Sequence, residues 1–413
     1  MLKKILSKGD RVATAYLKNR GRSVDSSAFL LEAGQGKNIN GNMFALAREL
    51  CTNARWKGHK IYWVTVEDTL SSAKSRFAAY GYEVEFVDRC SIRYGELLAS
   101  AKYLVTDNSF PPFFSKREEQ VYLNTWHGTP LKTLGKSDIK NATSLANIQK
   151  NYLMADYALF PNELTRQVFM KDYMLEYVFQ GNLLMCDYPR NCALFDDRIQ
   201  KEIRKTLKLQ GKQLIAYMPT WRGSNRTADA QIQKEILCRY FDEIDRQLTD
   251  DQIFYVNLHF LVGNIIDYSH YQHIRPFPAA YETYDFLGVC DLLVTDYSSV
   301  FFDYARPDRR IILFAYDLEE YMRERGTYFS IYDLPFPIVK TTKELVDEIN
   351  HPSDADMQAF LDTYCAYRDP NTPEMIVDLL VNQELGSLCI EQNPMKDESL
   401  VLLYAGDLKS KYG

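Results

Sequence analysis

Two histidines follow apolar runs at positions where the sequence predicts that strands end. His127 lies in the segment Asn-Thr-Trp-His-Gly-Thr-Pro-Leu-Lys at 124–132, and His259 follows Val-Asn-Leu at 256–258. An imidazole with a pKa near 6.5 can take a proton from an attacking hydroxyl near neutral pH. We therefore predict that one histidine is a general base and that the other binds or stabilises a leaving phosphate. For each histidine the alternative is a buried side chain that only ends a strand.

The segment Thr-Asp-Tyr-Ser-Ser at 295–299 predicts a phosphate site. An apolar run leads into it, and Ser298 and Ser299 then open a helix, where free amides, hydroxyls and the helix dipole favour an anion. Asp303, one turn further on, is predicted to reach ribose hydroxyls, and Asp296 to support the site. Ordinary helix capping is the alternative.

Two arginines are candidate phosphate ligands. Arg222 ends the segment Tyr-Met-Pro-Thr-Trp-Arg at 217–222, where the Thr220 hydroxyl, backbone amides and the guanidinium could grip phosphate oxygens together. Arg190, in Tyr-Pro-Arg-Asn at 188–191, is predicted to lie beside a binding cleft. The alternatives are a surface ion pair for Arg222 and a linker turn for Arg190.

The elements that must position these residues alternate between strand and helix patterns. Strand-like runs are predicted at 29–31, 60–66, 83–87, 103–106, 121–125 and 157–160, and a second set at 214–218, 253–258, 292–295 and 311–314. Such alternation predicts an α/β fold with two Rossmann-like doubly wound domains facing a cleft. Because ligands of such sheets bind at the carboxyl ends of strands, the candidate residues fall where binding is expected.

The predicted domains are 25–186 on the acceptor side and 187–385 on the donor side, preceded by a helix at 1–24. The first twenty residues carry six basic side chains and one acidic side chain between apolar ones, which predicts a basic amphipathic helix. It either lies on an anionic membrane or caps the first domain. Residues 386–413 are predicted to form a linker and a strand at 398–404. That strand either pairs with a sheet edge or begins a further, truncated domain.

Composition limits the class of protein. Of 413 residues, 46% are apolar, 25% are charged and 13% are aromatic, as in a globular protein rather than a disordered one. The net charge of −6 argues against a nucleic-acid partner. The eight cysteines show no CxxC or zinc-finger spacing, so we expect reduced thiols and no metal. Without an apolar run of about 18 residues, a cytoplasmic enzyme is expected.

Four segments, 126–132, 219–222, 258–259 and 295–304, resemble the signature blocks of the CDP-glycerol glycerophosphotransferase family. The blocks occur in the order typical of that family, and the resemblance spans about residues 29–379. Members of the family transfer polyol phosphate from a CDP-activated donor to teichoic acids and related capsule polymers, releasing CMP.

The resemblance implies a glycosyltransferase-B type fold, His127 as the catalytic base and His259 at the pyrophosphate. It implies CDP-glycerol or CDP-ribitol as donor substrate, no other cofactor, and a lipid-linked or oligomeric polyol-phosphate or glycan acceptor. It also implies a peripheral position on the inner face of the membrane. With Arg222 from the motif analysis, the predicted donor contacts are His127, Gly128, Thr129, Pro130, Leu131, Arg190, Pro219, Thr220, Arg222, Phe260, Leu261, Val262, Ser298, Ser299 and Asp303.

Three departures from the family pattern leave the polyol open. Asp187 stands where relatives usually have glycine, Phe336 replaces the glycine of a Gly-Pro pair, and 369–374 lacks the usual basic residues. Glycerol or ribitol, primase or polymerase, teichoic acid or capsule, and the oligomeric state all stay undecided. A nucleotide-sugar glycosyltransferase on the same fold, or a non-catalytic paralogue, are the rival hypotheses.

Overall fold

The computed structural model describes residues 8–138, 142–222, 227–324, 326–384, 386 and 388–393. The chain forms two compact units. Unit 1 comprises Met1–His127, Leu134–Arg190 and Asn371–Gly413, and unit 2 comprises Gly128–Thr133 and Asn191–Pro370. The chain therefore changes unit directly after His127 and again directly after Arg190.

The strands are β1 (Asp25–Glu32), β2 (Lys60–Thr65), β3 (Glu85–Asp88), β4 (Ala101–Thr106), β5 (Val121–Asn124), β6 (Tyr157–Phe160), β7 (Asn182–Met185), β8 (Gln213–Tyr217), β9 (Gln252–Val256), β10 (Ile274–Pro276), β11 (Leu292–Thr295), β12 (Arg310–Phe314), β13 (Ile338–Val339) and β14 (Cys389–Gln392). The helices are α1 (Lys8–Asn19), α2 (Asn42–Thr52), α3 (Glu67–Tyr80), α4 (Ile92–Ser100), α5 (Ala142–Met154), α6 (Glu163–Asp172), α7 (Asp197–Thr206), α8 (Thr227–Asp245), α9 (Phe260–Gly263), α10 (Thr283–Val289), α11 (Val300–Tyr304), α12 (Leu318–Glu324), α13 (Thr342–Asn350), α14 (Gln358–Tyr364) and α15 (Thr372–Asn382).

Unit 1 is built on an eight-stranded sheet in the order β14-β7-β6-β5-β4-β1-β2-β3, parallel except for β14. Its strands are apolar on both faces because helices cover both. On β1, Phe29 and Leu31 face the core shared with α2 and α15, while Ala28 and Leu30 face the core shared with α1 and α4. The chain order reverses between β1 and β4, so this is the topological switch point of unit 1.

Unit 2 is built on a six-stranded parallel sheet in the order β10-β9-β8-β11-β12-β13. Leu214 and Ala216 of β8 face one core, and Ile215 and Tyr217 face the other. The switch point lies between β8 and β11, at the same place in the strand order as in unit 1. The predicted α/β class with two Rossmann-like sheets is confirmed.

The C-terminal helix α15 belongs to unit 1, which corrects the predicted end of the second domain at 385. Ile376 and Leu380 of α15 are buried in the core that includes α2. Arg55 adds ion pairs with Glu374 at 2.8 Å and Asp378 at 2.6 Å. The longer segment of unit 2 starts at Asn191, four residues after the predicted start, and ends at Pro370. The prediction was wrong here because a helix's own sequence does not reveal which sheet it covers.

The segment Gly128–Thr133 was predicted in the first domain but belongs to unit 2. Leu131 is buried in the unit 2 core, and its carbonyl accepts from the Tyr328 amide at 3.0 Å. The Thr133 amide donates to the Gly326 carbonyl, also at 3.0 Å. These main-chain bonds attach a short piece of an early segment to a much later part of the chain.

The two ends of the described chain add to unit 1. Val12 and Tyr16 of α1 are buried against α4, so part of the apolar face predicted for 1–24 covers this unit, while Leu17 stays 62% exposed. β14 lies in the stretch predicted as a linker and pairs with β7. Residues 1–7 and the strand predicted at 398–404 lie outside the described residues. Within those residues, no helix is long and apolar enough to cross a bilayer.

Candidate active site

His127 is presented by a strained turn at the end of β5. Trp126, directly before it, has a left-handed backbone with φ of 52°. The Trp126 amide donates to Asn124 Oδ1 at 3.0 Å, and its carbonyl accepts from Asn42 Nδ2 at 3.0 Å. Left-handed backbone is costly for a bulky residue and persists only where neighbours enforce it. These side-chain amides of β5 and α2 therefore hold the turn that carries His127.

The His127 ring has one nitrogen engaged. Nδ1 lies 2.7 Å from the main-chain carbonyl oxygen of Asp107, which only accepts hydrogen bonds, so Nδ1 carries the proton and Nε2 is the basic atom. The indole of Trp126 stacks on the ring at 4.1 Å between centroids and 27° between planes. The residue remains exposed to solvent.

Arg190 lies beside His127 within unit 1. Its Nη1 donates to the His127 carbonyl at 2.9 Å, and the guanidinium lies over the Tyr188 ring at 4.7 Å. Surrounding protein lowers the pKa of His127, the Asp107 carbonyl opposes this, and the positive charge of Arg190 lowers the pKa further. Although the residue keeps solvent access, the surrounding protein favours the neutral imidazole that a base requires.

The switch point of unit 1 is closed by two hydrogen bonds that we call the unit 1 clamp. The Thr106 hydroxyl donates to the Glu32 carbonyl at 2.9 Å, and Asp107 Oδ1 accepts from the Gly34 amide at 2.7 Å. Burial raises the pKa of the Asp107 carboxyl to about 6, although the Gly34 amide and Arg190 oppose this. Asp107 thus joins β1, β4 and the ring of His127.

Unit 2 closes its switch point in the same way, with the unit 2 clamp. The Thr295 hydroxyl donates to the Met218 carbonyl at 2.7 Å, and Asp296 Oδ1 accepts from the Thr220 amide at 2.8 Å. Asp296 is fully buried. It therefore fixes the loop that carries Thr220, and the supporting role predicted for it at the site stays a prediction.

Arg222 is held by two carboxylates. Nη2 donates to Asp296 at 2.8 Å, and Nε donates to Asp317 at 2.6 Å. The third nitrogen, Nη1, donates to the Thr220 carbonyl at 2.6 Å. Burial disfavours the charge, but Asp296 and Asp317 outweigh it and raise the pKa of Arg222. Arg222 therefore anchors its own loop, and a direct phosphate contact stays a prediction.

The two serines lie at the start of α11, as expected from the sequence. Both are half-buried, and the Ser299 side chain makes no capping hydrogen bond to the helix. Gly128, also in unit 2, lies so close that a Cβ there would be 2.6 Å from Ser299 Oγ. A side chain at 128 would therefore displace the Ser299 hydroxyl.

Asp303 is buried inside unit 2. Its Oδ2 accepts from the Tyr284 hydroxyl at 2.7 Å, and Oδ1 lies 3.5 Å from Asn191 Nδ2. The carboxylate thereby ties α10 and the segment after Arg190 to α11. The predicted contact of Asp303 with a ribose stays a prediction. Because its carboxylate is buried and bonds Tyr284, Asp303 also has a structural role within unit 2.

His259 and the loop after β8 meet through aromatic stacking. The Trp221 indole lies 4.9 Å from the His259 ring at 22° between planes, and burial lowers the pKa of His259. Thr220 Oγ1 is buried and finds no hydrogen-bond partner among the described residues. A buried hydroxyl without a partner costs free energy, so a ligand there is physically reasonable.

The remaining predicted donor contacts fall mostly in unit 2. Thr129 and Leu131 are buried with Pro130 between them, Pro219 is half-buried, and Val262 is buried in α9. The side chains of Phe260 and Leu261 lie outside the described ones. Unit 1 thus holds His127 and Arg190, and unit 2 holds the other predicted site residues, including Gly128 to Leu131, which directly follow His127.

Sequence reasoning missed Asp107 and Asp317. The signal for Asp107 was available, because Val-Thr-Asp-Asn-Ser at 105–109 repeats the pattern of Val-Thr-Asp-Tyr-Ser at 294–298. Asp317 follows an ordinary strand, and nothing in the sequence around it indicates which side chain it meets, so its pairing with Arg222 could not be predicted. Among the described residues, no group of three or more His, Cys, Asp or Glu side chains could hold a metal ion.

Comparison with known proteins gives consistent matches along the chain. A family model described as CDP-Glycerol:Poly(glycerophosphate) glycerophosphotransferase matches residues 14–382. A teichoic acid poly(glycerol phosphate) polymerase of Staphylococcus epidermidis is 30% identical over 319 residues, which cover 72% of this chain and 43% of that protein. A teichoic acid glycerol-phosphate transferase of Staphylococcus aureus is 30% identical over 318 residues, covering 71% and 80%. The chain thus spans less than half of the first relative.

The fold is also that of a solved structure. The structure of the wall teichoic acid polymerase TagF matches with a TM-score of 0.75 at 24% identity, covering 91% of this chain and 93% of that one. At this identity the match supports the fold.

Proposed function

Since the chain belongs to the CDP-glycerol:poly(glycerophosphate) glycerophosphotransferase family, we propose that it transfers a polyol phosphate from a CDP-polyol to an acceptor hydroxyl and releases CMP. Glycerol phosphate is the proposed group, and the growing end of a teichoic-acid-type polymer is the proposed acceptor. The two relatives described above, both named for glycerol phosphate, support this choice of donor.

The orientation of His127 is the observation that carries the proposal. Its Nδ1 is bound to the Asp107 carbonyl, so Nε2 has the free lone pair that a base needs. Its pKa is lowered, chiefly by the surrounding protein, which favours the neutral ring that a base requires. Solvent access to the residue lets an acceptor hydroxyl reach it. His127 is therefore the proposed base.

The proposed reaction is an in-line displacement at the β-phosphorus. The acceptor oxygen forms a bond to this phosphorus, and the bond from it to the oxygen bridging to the α-phosphate breaks. The acceptor proton moves to His127 Nε2, and CMP leaves with the bridging oxygen. Such phosphoryl transfers depend on positioning and charge stabilisation more than on covalent catalysis.

Unit 2 supplies the proposed donor site. The proposed hydrogen-bond donors to the phosphates are the hydroxyls of Thr220, which has no partner among the described residues, and of Ser298 and Ser299. His259, whose ring stacks on Trp221, is the proposed pyrophosphate contact. Arg222 acts indirectly by holding the Thr220 loop, because its guanidinium is engaged with Asp296 and Asp317. Preorganised donors of this kind are effective because they need no rearrangement when charge develops.

The experiment is CMP release with a soluble oligo(glycerol phosphate) acceptor. CDP-glycerol and CDP-ribitol are tested separately on the folded chain, and release with CDP-glycerol is expected. Release with CDP-ribitol alone would keep the reaction class and correct the polyol. No release with either, together with release of a nucleotide from a nucleotide-sugar, would identify a glycosyltransferase. Silence with every donor would favour a non-catalytic paralogue.

We also propose that unit 1 associates with an anionic membrane on its cytoplasmic face, where a lipid-linked acceptor would be met. A groove beside α1 and α4 is lined by Arg11, Lys18 and Arg22, and α1 exposes Leu17 next to Lys18. Basic side chains beside exposed apolar ones favour anionic lipid surfaces. Arg11→Glu combined with Lys18→Glu should reduce sedimentation with phosphatidylglycerol vesicles.

The matched control is the same charge change on α7, at the exposed residues Lys201 and Lys205. Equal binding by the two double variants would contradict membrane association through α1.

A further inference from the structure

The two clamps place the same hydrogen bonds at the same points of two sheets. In each unit, the hydroxyl of a threonine at the end of one central strand donates to a main-chain carbonyl at the end of the neighbouring strand. The aspartate after that threonine accepts from the amide that lies two residues beyond this carbonyl. The unit 2 clamp holds the loop of the proposed phosphate site. The unit 1 clamp holds the turn Gly34–Gly36, which the proposed reaction does not use.

That turn has an unusual backbone. Gly34, Gln35 and Gly36 all have positive φ, at 51°, 59° and 83°. Glycine adopts this conformation freely, but glutamine does so only under constraint. Non-glycine residues held in this region cluster at sites of function. The strain at Gln35 is therefore a reason to look for a ligand site at this turn.

The side chains at this switch point suit hydroxyl groups. Gln35 Nε2 donates to Asn108 Oδ1 at 3.3 Å, so the two carboxamides meet across the gap between β1 and β4, and both are half-buried. The corresponding positions in unit 2 are occupied by the aromatic residues Trp221 and Tyr297. A carboxamide both donates and accepts hydrogen bonds, as a polyol requires.

A second observation comes from the next residue along the chain. Ser109 follows Asn108 and is 2% exposed, and its hydroxyl has no hydrogen-bond partner among the described residues. Its counterpart in the unit 2 motif is Ser298, whose hydroxyl is a proposed hydrogen-bond donor to the phosphates. An unsatisfied buried hydroxyl costs free energy that a bound polar ligand recovers.

The turn is also connected to the proposed base. Asp107 bonds Gly34 through its carboxylate and His127 through its carbonyl, so one residue fixes both the turn and the imidazole. A hydroxyl bound at Gln35 and Asn108 is therefore bound by groups that share a support with His127.

We propose that the unit 1 switch point is the acceptor subsite, where Gln35, Asn108 and Ser109 bind the terminal polyol of a polyol-phosphate chain. Naming the ligand as the acceptor rests on the proposed function. The positively charged and exposed Lys37, directly after the turn, is available to the chain's phosphates.

The test is direct binding of a soluble oligo(glycerol phosphate) to the full chain, with CDP-glycerol binding measured in parallel. Gln35→Gly removes the carboxamide and relieves the left-handed strain, so its thermal midpoint should stay equal or rise. Ser109→Ala removes the orphaned hydroxyl with little change in volume. Gln383→Gly, at a φ of 59° after α15, is the matched control.

Oligomer binding is expected to weaken about tenfold in Gln35→Gly and about threefold in Ser109→Ala, and to stay unchanged in Gln383→Gly. CDP-glycerol binding should be unaffected in all three. Unchanged oligomer binding in both site variants, or no oligomer binding by the parent chain, would overturn the subsite. So would an equal loss of CDP-glycerol binding, which would assign the site to the donor. A parent chain that binds the oligomer through Gln35 but releases no CMP would overturn only the proposed reaction.

Discussion

The Nδ1 atom of His127 lies 2.7 Å from the carbonyl oxygen of Asp107, and this one contact decides which nitrogen of the imidazole is basic. The carbonyl cannot donate, so the proton is on Nδ1 and the lone pair on Nε2. Main-chain carbonyls do not titrate, so the neutral ring keeps this tautomer at every pH at which it is neutral.

Replacement of His127 by alanine should lower kcat by about 10²–10⁴-fold while CDP-glycerol binding is largely kept, because a positioned base contributes a factor of that size. Turnover is measured as CMP release and binding by calorimetry. The control is His351→Ala, an exposed histidine at the end of α13. Near-parental turnover in His127→Ala would remove His127 from the role of base.

The acid limb of the kcat–pH profile should depend on Arg190. The neutral imidazole is the active form, and its pKa lies below 6.5, so kcat should fall only as pH drops through that lowered value. Arg190→Met removes a charge that lowers the pKa of His127, so the limb should move to higher pH.

Arg190→Lys keeps the charge but loses the planar fork, so it should reduce kcat without moving the limb as far. The His127 titration, followed by NMR of its ring protons, checks the shift without turnover. Coincident titrations in the parent, Met and Lys chains would refute the electrostatic role of Arg190.

Arg222→Ala should destabilise the protein by roughly 3–5 kcal/mol, since it leaves the fully buried Asp296 without its partner. Urea-induced unfolding measures the loss. Glu319→Ala, which breaks the exposed pair with Lys340, should leave the stability nearly unchanged, because solvent screens exposed ion pairs. If Arg222→Ala kept its stability and lost CDP-glycerol binding, Arg222 would be a phosphate ligand instead of an anchor.

Gly128→Ala should weaken CDP-glycerol binding about tenfold. The new methyl carbon would lie 2.6 Å from Ser299 Oγ, so the Ser299 hydroxyl has to move. Stability should change by less than about 1 kcal/mol, since a serine side chain can rotate. The control is Gly21→Ala, where an added Cβ meets nothing within 4 Å. Equal donor affinity in both variants would argue against Ser299 as a donor contact.

Much of the fold was predictable because the relevant interactions are local. Apolar runs such as 292–295 must be strands buried on both faces, and their alternation with helices implies parallel sheets. The positions of His127, Thr220 and Ser299 at strand ends followed from the same pattern. The strand β7 was missed, since Asn182–Met185 directly precedes the turn-rich stretch where the domains were expected to join.

By itself, the sequence determined the class of fold, the residues that stand at strand ends and the family signature they form. Only the tertiary structure decided which groups those residues meet. Arg190 reaches the carbonyl of a histidine 63 residues away, and Arg222 reaches a carboxylate 95 residues away. It also decided that α15 completes unit 1 and that the chain changes unit directly after His127. Burial patterns are set by each element's own residues, whereas these pairings depend on strand order and on which core a segment fills. No local spacing encodes either of them.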